Sequence, residues 1–231
     1  MRACAPAFGG RGRVRTALTG SVVMLVSGTL AAQASAASIA VNKPCYVNAA
    51  SRAAAMTVSG SGFTPGDPVD IQSSDGSVAA TANAGASGAF AVTTGAPTPF
   101  LPRPESKTFT LTASDFTATG TTITATTRVT VTDLSVTTAP SRAALTEKVT
   151  WYFSGFDPGK QIYGHYLRRN EVARAKFGTA QGPCGLLKVN ARFYPGGHPR
   201  YKTYTLQVDN SKPYSMHTTP RVLAQLGTMF F

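Results

Sequence analysis

The side chains of this 231-residue chain that could carry chemistry are few and scattered. Its three histidines, His165, His198 and His217, show no H-x-x-x-H spacing, and no C-x-x-C occurs, so no pair is set to hold one metal. A G-x-S-x-G nucleophile elbow is absent; Gly85-Ala86-Ser87-Gly88 falls one residue short. The ten acids, Asp67, Asp70, Asp75, Glu105, Asp115, Asp133, Glu147, Asp157, Glu171 and Asp209, form no evident pair for general acid and base work. This pattern speaks against an enzyme and calls for no cofactor. A hydrolase whose site assembles only in three dimensions ranks third among the readings.

Cysteine chemistry is more specific. Cys4 lies in a leader, which leaves Cys45 and Cys184, one in each half of the remaining chain. In an exported protein two such thiols commonly pair. A bridge across so long a loop would stabilise by about 4–5 kcal/mol in the chain-entropy model. The alternative is a free or intermolecular thiol in each half.

Charge is the other asymmetry. Residues 37–133 hold five Lys/Arg against six Asp/Glu, a net of −1, whereas residues 134–231 hold thirteen against four, a net of +9. The excess is densest between His165 and Lys176, which reads as a hairpin with Arg168 and Arg169 at its tip and Arg174 and Lys176 on the returning strand. His198, Arg200 and Lys202, with Tyr201 between them, make a second basic cluster. Clustered cations attract polyanions such as teichoic acids, anionic glycans and phospholipid surfaces. The competing reading is a solubilising face on a chain with few charges elsewhere. Nucleic acid is not an expected partner, because no reader motif appears and export removes the usual target.

The elements that must position these groups are built on a repeated corner. GSGFTPGDPVDI from Gly60 to Ile71 returns as FSGFDPGKQIYG from Phe153 to Gly164, an offset of 93. Pro65-Gly66 and Pro158-Gly159 suit the centre of a type II turn, since proline pre-sets the first φ and glycine accepts the positive second one. Phe63 and Phe156 are expected to plug the core at each corner. The likeness extends to Lys107–Leu111 against Lys202–Leu206, at an offset of 95, and to Gly88–Val92 against Gly185–Val189, at 97. A period this long marks a duplicated domain. Each copy reads as about seven short strands, and no window keeps a 3.6-residue period. Trp151 shares the inward face of its strand with Val149 and Phe153. The threonine comb Thr121–Thr127 reads as the wet face of an edge or terminal strand. Thr130–Leu134 runs directly into the second copy, so a stiff pair is expected.

Ahead of the first copy, Arg2, Arg11, Arg13 and Arg15 precede the apolar run Ser21–Ala32 and the small-residue site Ala34-Ser35-Ala36. This reads as a signal peptide over residues 1–36, the rival being an uncleaved anchor. The apolar run is shorter than the ~20 residues of a spanning helix. No second such run follows, and the mature chain, net +8, is expected to be secreted without a transmembrane segment. The architecture expected is all-β: two tandem immunoglobulin-like antiparallel sandwiches, over residues 37–133 and 134–231.

The GSGFTPGDPV and SGFDPGKQI corners, the G-x-F-x-V strand from Gly88, the GPCG at Gly182–Gly185 and the KTYTLQVD strand at Lys202–Asp209 resemble secreted two-domain bacterial immunoglobulin-like proteins of high-GC Gram-positive bacteria. A more distant similarity is to neocarzinostatin-type apoproteins. The two disulfides within one domain of that group cannot form here, because each half has a single cysteine. Function follows as an expectation: a non-enzymatic binding or adhesion module at the cell envelope, its basic half meeting an anionic polymer or another surface protein. The alternative is a small-molecule carrier of the apoprotein type.

Overall fold

The computed structural model describes residues 36–49, 52–116, 120, 122–196 and 203–227. Residues 1–35 of the expected signal peptide and the basic residues His198, Arg200 and Lys202 therefore lie outside the described residues, as does Thr121 of the threonine comb. Every regular element described is a strand. The first half holds β1 (Ser38–Val41), β2 (Tyr46–Asn48), β3 (Ala55–Ser61), β4 (Pro68–Ser73), β5 (Ala79–Asn83), β6 (Phe90–Gly95), β7 (Ser106–Phe116) and β8 (Thr122–Asp133). The second holds β9 (Ser135–Ala139), β10 (Lys148–Ser154), β11 (Gln161–Leu167), β12 (Glu171–Thr179), β13 (Leu187–Arg192), β14 (Thr203–Asp209) and β15 (Arg221–Gly227).

Four sheets result, in the orders β1-β3-β6, β2-β8-β7-β4-β5, β9-β10-β13 and β12-β11-β14-β15. Two layers of this order, one strand set folding over the other, make an immunoglobulin-like sandwich in each half. All pairings are antiparallel except the parallel one between β2 and β8. That strand makes eight in the first copy where alternation predicts seven. Only Tyr46-Val47-Asn48 is involved, too short a run to show a period of two. The comb strand β8 is paired to β7 along its length and to β2 only at Val131–Asp133, so Thr122, Thr124 and Thr126 do face solvent from an edge.

Alternation decides what is buried. In β7, Phe109, Leu111 and Ala113 turn inward while Thr108 and Thr110 remain exposed. The first core is mostly aliphatic, built on Met56, Val58, Val69, Ile71, Leu111 and Val131. The second is aromatic: Trp151, Phe153, Phe156, Tyr166, Phe177, Phe193, Tyr194 and Tyr204 pack together. Trp151 lies 4.9 Å from the Phe177 ring and 5.6 Å from that of Phe193.

The two corners share one hydrogen-bond scheme. The Asp67 amide donates to the Thr64 carbonyl at 3.2 Å, and Lys160 donates to Asp157 at 3.1 Å, closing turns with Gly66 at φ 85° and Gly159 at 74°. Gly66 and Gly159 then donate to Ala84 and Ala180, both at 2.9 Å. Phe63 and Phe156 are buried beneath the turns. Each corner is also held from the end of the strand opposite. Asp115 Oδ2 accepts from the Thr64 amide at 2.7 Å, and Asn210 Oδ1 accepts from the Asp157 amide at 2.9 Å.

Only Leu134 separates β8 from β9. Its amide donates to the Asn48 carbonyl at 2.8 Å, and Ser154 Oγ donates to the Asp133 carbonyl at 2.6 Å. A Cβ on Gly155 would come within 2.7 Å of Val47 Cγ1 and 2.8 Å of Leu134 Cα, so the second corner is seated against β2 and the connection itself.

Candidate functional site

The two remaining cysteines meet at this junction. Cys45, one residue before β2, is bonded to Cys184 in the turn before β13, with 5.4 Å between the α-carbons and 139 positions between them in sequence. Both are buried. The turn carrying Cys184 is placed by the second corner, since its carbonyl accepts from the Gly155 amide at 3.0 Å. The bond thus ties the start of the first sandwich to the corner region of the second.

The basic hairpin is formed by β11 and β12, joined through Arg168, Arg169 and Asn170. The Arg168 amide closes the turn onto the Asn170 carbonyl at 3.1 Å. Both arginine side chains are exposed, and with Asn170 and Val172 they border a surface hollow of about 610 Å³. Lys176 is also exposed, opposite Tyr163 on β11. Arg174 is differently employed: its Nε and Nη2 each donate at 2.8 Å to Glu171, a bidentate ion pair. It sits beside Arg168 and Arg169 in sequence but spends its fork on its own strand.

That pair is one end of a polar cluster. His165, on β11, is fully buried between two carboxylates; Nδ1 lies 2.8 Å from Glu171 Oε1, and Nε2 lies 3.3 Å from Asp209 Oδ1. Nε2 also faces the Ser211 carbonyl at 3.0 Å, which can only accept, so this nitrogen carries a hydrogen. Asp209 takes further hydrogen bonds from Gln207 Nε2 at 2.7 Å and from the Ser211 amide at 2.8 Å. Gln207 also donates to the Ser215 carbonyl at 2.8 Å. Cross-strand register explains the gathering: His165 faces Arg174 on β12 and Gln207 on β14, so all three lie on the outer face of one sheet. The β14–β15 loop folds back over that face, and Tyr214 comes within 5.7 Å of the His165 ring.

The Arg174 hydrogen bonds, and then those of His165, hold the Glu171 carboxyl below the usual carboxylate range, against an opposing push from burial. Burial, with Tyr194 nearby, pushes the Tyr166 hydroxyl well up, and it donates to the Phe193 carbonyl at 2.9 Å. A histidine with no exposed surface and both nitrogens occupied cannot reach a substrate. The cluster's work is to hold the loop down.

The sequence shows Glu171 and Asp209 as isolated acids, whereas the fold brings them together on one imidazole. They stand 6 and 44 positions from His165. Only the strand register could reveal them. His217 is exposed, and its amide donates to Ser215 Oγ at 3.2 Å. Among the described residues, no group of three or more His, Cys, Asp and Glu is placed to hold a metal ion, and no helix is long and apolar enough to cross a membrane.

No family model and no curated protein matches the chain. Solved structures do match in part. One is a tetra-tandem repeat from the extending region of a large adhesion protein, 17% identical over 83% of this chain and 48% of that one, with a TM-score of 0.32. A second belongs to a 1.5-MDa bacterial ice-binding adhesin, 14% identical over 84% of this chain and 64% of that one, with a TM-score of 0.30. The periplasmic chaperone SfaE is 12% identical over 82% of this chain and 98% of that one, with a TM-score of 0.27. The chain thus spans about half to two thirds of the length of the first two.

Proposed function

We propose that this protein is an exported, non-catalytic binding module of the cell envelope, whose second sandwich presents a basic hairpin to an anionic polymer. The observation that carries this reading is the placement of Arg168 and Arg169, exposed at the tip of a hairpin whose base is braced by the His165 cluster. A braced tip loses little conformational freedom on binding, which favours affinity. The disulfide supports the compartment, because such bonds persist in oxidising surroundings. It also supports the mechanical side, since a binding face on a locked pair of sandwiches transmits its orientation to the rest of the chain.

The test is binding to poly(glycerol phosphate), a teichoic-type polyanion, across a salt series. Binding at low salt should weaken steeply as ionic strength rises, because phosphate contacts are screened. An R168S/R169S double variant should lose roughly tenfold in low-salt affinity, in line with two charged contacts of about 0.5–1 kcal/mol each. Absence of low-salt binding, or binding indifferent to salt, would overturn the proposal.

A further inference from the structure

The His165 ring is surrounded by acceptors. Nδ1 points at Glu171 Oε1, and Nε2 points at the Ser211 carbonyl and at Asp209 Oδ1. A carbonyl can only accept, and so can Glu171, which the hydrogen bonds of Arg174 help to keep ionised. Asp209 already uses both oxygens as acceptors, Oδ1 for the Ser211 amide and Oδ2 for Gln207 Nε2. Both ring nitrogens therefore carry hydrogens, and His165 is an imidazolium with no exposed surface.

The two carboxylates depend on this charge unequally. Glu171 has a second cation in Arg174 and is partly exposed. Asp209 is fully buried, and His165 is its one ion-pair partner among the described residues. Other cations stand near this face without pairing to it. Lys176 on β12 and Arg221 on β15 end the row that runs through Tyr163 and Asp209, and both are exposed, as is Lys212 in the loop. Gln207 on β14, with Ser211 and Tyr214 in the loop, completes the surroundings and supplies no cation.

Taking the proton from His165 would leave a ring lone pair against an acceptor and a buried Asp209 charge without a counter-ion. Breaking a buried ion pair in this way is strongly unfavourable. Rehydration relieves it, and the element in the way is the β14–β15 loop, which crosses the cluster through Ser211 and Tyr214. The stabilising effect is thus present while the ring is charged and is lost as pH rises.

We propose that His165 is a proton-operated latch: charged, it pins the loop over residues 210–220 and braces the hairpin, and on losing its proton it frees the loop and weakens the hairpin's hold on an anionic polymer. The loop release stands on the geometry alone, whereas its effect on binding rests on the envelope-binding reading above.

Hydrogen exchange at the Ser211 amide follows the latch, expressed as a protection factor so that the intrinsic pH dependence of exchange cancels. The series runs from about pH 5 to about pH 9, which brackets the interval in which histidines ordinarily change charge. In the native protein both His165 ring nitrogens should be protonated at the acid end by nuclear magnetic resonance. Ser211 protection should then fall by about tenfold or more, in step with the ring's titration. D209N, which removes the buried charge, should leave the amide equally protected at both ends. A ring that is neutral throughout, one that keeps its charge over the whole series, or native protection that ignores its titration would each overturn the latch.

The regulatory half is read from poly(glycerol phosphate) affinity at one low salt concentration. It should fall with rising pH by roughly twofold to tenfold in the native protein and in H217Q, as for the re-ordering of one or two side chains. It should stay level in D209N, whose loop remains down. A decline that persists in D209N would overturn regulation through the latch. No binding at any pH would overturn the envelope reading and this half with it, while hydrogen exchange still decides the latch.

Discussion

The two sandwiches repeat one backbone plan and use it differently. Their corners match bond for bond, from the turn closures through the Gly66 and Gly159 amides to the side-chain clamps from Asp115 and Asn210. Their interiors and faces diverge. The first has a mostly aliphatic core, and its first strand lies beside β8 of the facing sheet. The second has an aromatic core and a polar cluster on its outer face. The corner is what both copies need in order to fold, whereas the differences lie where a second copy was free to change. The polar cluster and the exposed basic hairpin both belong to the second sandwich.

This contrast can be broken at the bridge with the largest effect. A C45S/C184S variant should lose about 5 kcal/mol of unfolding free energy, by the chain-entropy relation for a loop of this length. Denaturant unfolding should then separate into two transitions, one for each sandwich, where the bridged protein shows one. Unchanged stability with a single transition would mean that the sandwiches are coupled by something other than the bond.

The shared corner can be sharpened by glycine replacement. A Cβ on Gly185 would fall 1.7 Å from the Phe156 carbonyl oxygen, and one on Gly88 would fall 2.2 Å from that of Phe63. Neither backbone oxygen can yield without moving the turn, so G185A and G88A should each cost on the order of 3 kcal/mol. At Gly66 and Gly159 a Cβ would meet nothing within 4 Å. G66A and G159A should therefore cost only the positive-φ penalty, about 1–2 kcal/mol. Thermal midpoints of the four variants test this ordering; if all four fall equally, close packing beneath the corner is not what the glycines provide.

The smallest effect separates the outer faces. Glu171 has a depressed carboxyl in the folded chain, so its contribution is fully present above the ordinary value of about 4.3 and is lost as pH falls through the lower folded value. An E171Q variant should be less stable than the native protein near neutral pH, and the two should converge on acidification below about 4. The difference is modest because Glu171 is 20% exposed and Arg174 37%. A gap that persists unchanged at low pH would show that Glu171 acts by packing rather than charge.

The sequence made the corners legible because Pro-Gly with a preceding Phe occurs twice at a fixed offset, and the turn chemistry of those residues is local. The bridge was readable as a pairing of leftover cysteines, while its proximity depended on Cys184 being held by the Gly155 amide. Asp115 and Asn210 could not be matched by eye, since one is an acid and the other an amide, and only the common acceptor oxygen unites them. The His165 cluster was hidden for a different reason. Its members are drawn together by a hairpin and a neighbouring strand, and sequence distance says nothing about which faces they share. Arg174 shows the converse, a cation counted with the hairpin's charge whose hydrogen bonds are spent on Glu171.

The bridge between the sandwiches is tested most directly by counting thiols in the full chain, denatured and unreduced, and mapping the linked peptides. The structure predicts no reactive thiol at Cys45 or Cys184 and a single cross-link between them within one chain. Reactive thiols at both Cys45 and Cys184, or a cross-link joining two chains through either residue, would contradict it.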